Sequence, residues 1–169
     1  MGKPLNPGRT AFIVLSICTA SLLAGCFGSK TYPNTVDKNL HVQTATDSGS
    51  WFSSVRAAVD IHRVAEDCVL DYEGTVQLAD PKIHIGIPPH RWSYLVFVFA
   101  NSSFLANKSG TITYETLLKP ETGFHYDVAV SYRDDMYHVG IRETSANQST
   151  GREIERLALS ACRSSFGRK

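Results

Sequence analysis

His84, His125 and His138 each stand between apolar residues, in stretches that alternate polar with apolar side chains. If those stretches are strands, the three imidazoles share one polar surface with Asp127, because successive side chains point to opposite faces. Imidazole is the usual acid–base group near neutral pH and a common metal ligand, so such a face could hold zinc or copper, or move protons in a hydrolase. Solvent-facing strand positions also accept any polar residue, and no two of these histidines have a ligand-type local spacing. No metal or cofactor is therefore expected. His62 falls on the edge of an apolar face and reads as structural. His90-Arg91-Trp92 follows Pro88-Pro89 in a turn, a place where binding residues gather, although a purely structural turn is the preferred reading. There is no Gly-x-Ser-x-Gly, no Gly-rich phosphate loop and no His-Glu-x-x-His. Glu66, Asp67, Asp71 and Glu73 read as a solvated acidic run, so no catalytic residue is expected.

The elements that must position these residues follow from hydrophobic period. In residues 50–66, Trp51, Phe52, Val55, Ala58, Val59 and His62 recur at three- and four-residue steps, opposite Ser53, Ser54, Arg56, Asp60 and Arg63. That spacing predicts an amphipathic helix packed on a sheet. The period then drops to two. Residues 68–78 and 83–87 read as strands, and Pro88-Pro89 ends the second. Residues 94–100, YLVFVFA, are apolar on both faces and predict a central strand covered on both sides. Residues 111–118 predict another. Tyr126, Val128, Val130 and Tyr132 alternate on one strand and Tyr137, Val139 and Ile141 on the next, joined through Asp134-Asp135 as a tight turn. This register sets Tyr132 against Tyr137, Val130 against Val139, and Asp127 against Arg142 on the other surface. Thr150 and Glu153 match a capping box, predicting a helix over 152–163 with Ile154, Leu157, Ala158 and Ala161 on one face. The expected fold is α+β: a mostly antiparallel sheet or small β-sandwich of about six strands with two packed helices, in one globular domain over 49–169.

The beginning of the chain has another character. Lys3 and Arg9 precede an apolar run over 11–24 that ends Leu22-Leu23-Ala24-Gly25-Cys26. The run is shorter than the about 20 residues a spanning helix needs, and it suits the apolar centre of a signal peptide. Leu-Ala-Gly-Cys resembles the lipobox of bacterial lipoproteins. The resemblance implies that residues 1–25 are removed as a signal peptide and that Cys26 becomes the lipid-modified first residue, tying the chain to a membrane. It also implies the outer membrane, because Phe27 stands where an aspartate would commonly retain such a protein at the inner one. Residues 26–48, rich in Ser, Thr, Asn and Lys, are then expected to form a flexible tether with an end-to-end distance of about 25 Å.

That processing changes the composition that matters. The chain has 17 Lys and Arg against 16 Asp and Glu. Losing Lys3 and Arg9 leaves 15 against 16, a net charge near −1, which gives no electrostatic footprint for nucleic acid. Of four cysteines, Cys18 leaves with the signal and Cys26 carries lipid. Cys68 and Cys162 remain in a compartment where disulfides persist and are expected to be bonded. The other readings are two buried thiols or a metal site, and no Cys-x-x-Cys supports the latter. The function expected is a membrane-tethered binding or assembly module without catalysis, contacting another envelope protein or cell-wall glycan. The second reading is a small periplasmic hydrolase or metal-binding protein that uses the exposed strand histidines.

Overall fold

The doubly apolar run of residues 94–100 lies within a central strand, paired at both edges; its inner face is fully buried and its outer face partly so. In the computed structural model, which describes residues 30–46, 53–79, 81–103, 108–133, 136–148 and 150–163, it belongs to β5, Ser93–Ser103. The other strands among the described residues are β1 Leu40–Thr46, β2 Ser53–Val64, β3 Leu70–Gln77, β4 Lys82–Ile85, β6 Lys108–Leu118, β7 Phe124–Arg133, β8 Met136–Ser145 and β9 Arg152–Ile154. They form a four-stranded sheet in the order β3-β2-β5-β6 and a five-stranded sheet in the order β4-β1-β7-β8-β9. All pairings are antiparallel except β1 with β7.

The two sheets bury their facing sides against each other. Val59, Ile61, Leu95, Phe97 and Phe99 come from the first sheet, and Leu40, Val42, Ile85, Tyr126, Val128, Val130 and Ile141 from the second. Most of these are fully buried, and each such side chain stabilises the fold by about 1.5–3 kcal/mol relative to exposure. Phe99 and Tyr137 stack across the interface with ring centroids 4.4 Å apart.

The α+β class is therefore corrected to all-β: neither expected helix forms. The stretch expected to be the first helix contains β2, a central strand between β3 and β5. Ala57, Val59 and Ile61 point to the main core while Ala58, Asp60 and His62 point away, a period of two that tertiary pairing enforces. Residues 50–52 of that stretch lie outside the described residues. The expected C-terminal helix is replaced by β9, paired with β8, and a single 3-10 turn over Leu159–Ala161. Leu157, meant for its apolar face, is 37% exposed. The expected tether also contributes structure. Leu40-His41-Val42-Gln43 alternates inward and outward, and β1 is an inner strand between β4 and β7.

The hairpin register is as expected, with Val130 opposite Val139, Tyr132 opposite Tyr137 and Asp127 opposite Arg142. Asp134 and Asp135, the expected turn, lie outside the described residues.

A second, smaller core sits on the outer side of the four-stranded sheet. Val64, Tyr94, Leu117 and Cys162 are buried there, with Leu70, Trp92, Val96 and Leu159 packed around them. The C-terminal segment is its lid: the Leu117 amide donates to the Leu157 carbonyl at 2.8 Å, and the Leu157 amide donates to Thr116 Oγ1 at 3.2 Å. Cys68 and Cys162 are joined by a disulfide, with Cα atoms 6.0 Å apart, which staples this segment to the start of β3.

Candidate functional site

The outer face of the five-stranded sheet carries the histidines, and strand register decides which of them meet. His84 pairs with His41, His41 with Asp127, Asp127 with Arg142, and Arg142 with Glu153. These five side chains form one row across all five strands. At about 4.8 Å per strand, the row is roughly 19 Å long. The next row runs Lys82, Gln43, Ala129 and Gly140. Ala129 and Gly140 have little or no side chain, so the surface dips between the taller neighbours. The result is an open hollow of about 510 Å³ lined by both rows. A Cβ added at Gly140 would meet nothing within 4 Å, so the floor is open to solvent.

Above the floor His41 is the hub. Its ring lies edge-on to His84, centroids 4.7 Å apart, and stacks on His125 at 5.3 Å. Its Nδ1 is 3.4 Å from Asp127 Oδ1. That is an ion-pair distance without a hydrogen bond, and no hydroxyl or thiol lines the hollow for an acid–base pair to activate. Among the described residues no three His, Cys, Asp or Glu side chains converge as metal ligands. Lys82 and Arg142 stand on opposite flanks, three strand spacings or about 14 Å apart. Among the described residues neither side chain has a hydrogen-bond or ion-pair partner. The hollow thus offers donors on both flanks, acceptors at Asp127 and Glu153, and a flat apolar floor. It can recognise a ligand by hydrogen bonds and charge.

Of the sequence-selected residues, His84, His125 and Asp127 come together here. His138 does not. It pairs with Ser131, six residues along β7 from His125, or about 20 Å away. His41, the residue that joins the others, was hidden in the expected tether; the alternation of Leu40-His41-Val42-Gln43 is the signal that could have found it. His62 packs against Tyr72 and Tyr94, with centroids 5.2 and 6.1 Å away, on the far side of the other sheet. His90 has a left-handed φ of 61°. Its amide donates to the Pro120 carbonyl at 2.7 Å, and its ring contacts Glu121 at 3.0 Å and Thr122 at 2.9 Å. Arg91 pairs with Glu73 at 2.7 Å. That turn is a latch between loops, in keeping with the structural reading. Cys26 lies outside the described residues. Among them no helix is long and apolar enough to cross a membrane.

Fold and site together define an all-β sandwich of two sheets with a polar hollow on one outer face. No protein-family model and no curated protein matches this sequence. Among solved structures it is similar to transthyretin from Sparus aurata, at 14% identity and a TM-score of 0.43, covering 64% of this chain and 100% of that one. It is also similar to sea bream transthyretin in complex with thyroxine, at 13% identity and a TM-score of 0.41, covering 66% of this chain and 99% of that one. At those values the likeness carries nothing about ligand or activity to this chain.

Proposed function

We propose that this chain is a bacterial outer-membrane lipoprotein, anchored through Cys26, whose β-sandwich is a binding module without catalysis. It engages another envelope protein or cell-wall glycan through the outer face of the five-stranded sheet. The observation that carries this reading is the hollow itself: a floor of Ala129 and Gly140 between two cations, Lys82 and Arg142, that no side chain of the described fold engages. A lipid at the start of the chain confines the module to a surface and raises its effective concentration there. The cluster of His41, His84, His125 and Asp127 favours one other reading, a histidine-based metal or proton-transfer site.

A photo-crosslinking side chain at Ala129 is expected to yield one discrete adduct in cells, a protein conjugate or a glycan fragment. The same group at Val69, exposed on the other sheet, is expected to yield none. Gly140→Trp, which fills the floor, is expected to suppress the Ala129 adduct. Adducts from Val69 but not from Ala129 would dismiss the hollow as the binding face. Anchoring is tested separately: a fatty-acid analogue is expected to label the native chain and not Cys26→Ser. Loss of the biological phenotype and of tightly held zinc or copper in a His41→Gln/His84→Gln/His125→Gln chain would favour the second reading instead.

A further inference from the structure

Residues 30–39 form a strap along the side of the sandwich, and it is fastened along its length. The Thr75 amide donates to the Lys30 carbonyl at 2.7 Å, and the Tyr32 amide donates to the Thr75 carbonyl at 3.1 Å. The Tyr32 hydroxyl, at a side chain only 6% exposed, donates to the Gly86 carbonyl at 2.9 Å. Asn34 Oδ1 accepts the Gly86 amide at 2.7 Å. Asn39 closes a pair of bonds with Ile87, accepting its amide at 2.9 Å and donating to its carbonyl at 2.8 Å. The strap therefore bonds to β3 of one sheet and to the end of β4 of the other. Gly74 makes room for it. That glycine has φ 145°, and a Cβ there would fall 2.6 Å from the Tyr32 nitrogen.

The chain is thus fixed from Lys30 onward, four residues after Cys26. Four extended residues reach at most about 14 Å, against the about 25 Å expected of a tether that ran to residue 48. A domain of this size is roughly 35 Å across, more than twice that leash. The corner at Lys30 is therefore held within about 14 Å of the lipid on Cys26.

We infer that the domain sits directly on the lipid headgroups, through the corner where Lys30 and Thr31 meet the edge strand β3. The inference rests on lipidation of Cys26. The chemistry at that corner suits such a surface. Lys30 has no ion-pair partner among the described residues and can meet headgroup phosphate. Beside it Tyr72, half-buried against His62, holds its hydroxyl on Thr75 Oγ1 at 2.5 Å and near the Lys30 carbonyl at 3.4 Å, which fixes the corner in place. The hollow on the five-stranded sheet is thereby held within about one domain diameter of the bilayer.

The test uses the full lipidated protein in vesicles of phosphatidylethanolamine and phosphatidylglycerol that carry a nitroxide-headgroup lipid as a contact-range quencher. A fluorophore is placed on Thr31→Cys, where Cys68 and Cys162 are bonded to each other and do not compete. A second chain carries in addition a 20-residue Gly-Ser insertion between Ser29 and Lys30. Strong quenching is expected in the first chain. It is expected to fall at least about twofold in the second, whose corner can stand about 25 Å further off. Weak quenching in the first chain, no stronger than in the second, with both floating with the vesicles, overturns the seating and leaves the anchor intact; strong quenching in both upholds it, the corner's own chemistry then holding it to the headgroups. A chain that neither floats nor takes up fatty-acid label overturns the anchor, and the seating with it.

Discussion

Removing the disulfide tests what holds the C-terminal segment in place. The bond joins residues separated by 94 positions, so it closes a loop of nearly a hundred residues in the unfolded chain. The chain-entropy model assigns such a loop about 4.7 kcal/mol. Cys162 is fully buried, and Cys68→Ala/Cys162→Ala preserves most of its volume, so the loop term should dominate. With an unfolding entropy of about 2.1 cal/mol/K per residue over about 130 folded residues, 4.7 kcal/mol corresponds to a fall in Tm of roughly 17 °C. Calorimetry of native and double-alanine chains measures it.

The alternative outcome is local. Without the staple the segment is held to β6 by the Leu157–Leu117 and Leu157–Thr116 bonds and by Arg156 Nε donating to the Glu115 carbonyl at 2.9 Å. Arg156 and Leu157 are themselves exposed, so the segment could open alone. Tm would then move little, while the Leu117 amide would lose its protection from hydrogen exchange. A Tm shift under about 5 °C with the Leu117 amide still protected would refute both forms of the argument, since the scale of about 3–4 °C per kcal/mol leaves no room for the loop term.

Three further outcomes follow from named residues. Burial, then a hydrogen bond to Glu115, pushes the Tyr94 phenol up to about 12, and burial together with Glu143 does the same for Tyr126. In the unfolded chain both ionise near 10, so their stabilisation is complete below that pH and is lost as pH rises toward 12. Urea titrations should show stability falling over that range, and Tyr126→Phe should reduce the slope by about 1.4 kcal/mol per pH unit, one proton's worth; an unchanged slope refutes the assignment. Gly74→Ala is expected to cost about 1–3 kcal/mol through its left-handed φ and collision with the strap, with lost exchange protection at the Tyr32 amide; an unaffected Tyr32 amide would contradict the fastening. Asp127→Lys with Arg142→Asp should show a coupling of only about 0.2–1 kcal/mol, because the pair is exposed and Asp127 also faces His41; coupling well above that would mean the pair is bonded.

Six strands were legible because each alternates cleanly or is apolar on both faces, and the β7–β8 register was legible because a short turn aligns like with like. The three strands that were missed fail for physical reasons. In β2 the alternation of Val55, Ala57, Val59 and Ile61 was outweighed by adding Phe52, Ala58 and His62 to one face, which gave a helical spacing. Yet its β-branched residues favour a strand, and pairing on both sides settles the matter. In the C-terminal segment the local capping signal competes with a strand pair and a staple, both formed with distant residues, and those win. β1 is short and lies in polar sequence. Its partner β7 is parallel and more than eighty residues away, so no hairpin sets its register. Without β1 the site was legible only in fragments: His84 and His125 were in view, but not the imidazole that joins them.

The hollow differs from an ordinary solvated sheet face in one respect, and Gly140 shows it. Glycine within a strand lowers stability by about 0.5–1 kcal/mol relative to alanine. Such a residue usually marks a bulge, a left-handed turn or a close approach of another group. At Gly140 the β7–β8 ladder runs through without a shift in register, φ is not positive, and no atom of the described fold stands within 4 Å of where a Cβ would lie. Among the described residues nothing recovers the lost stability. The neighbouring Ala129 extends the same low floor, and Lys82 and Arg142 hold charge on either flank without side-chain partners among the described residues. A surface kept low where bulk would be free, and charged where pairing would be easy, is what the proposed binding face requires. If that face binds, Gly140→Ala should raise stability slightly while weakening the Ala129 crosslink. A stabilised chain with an undiminished crosslink would mean that the open floor is not used.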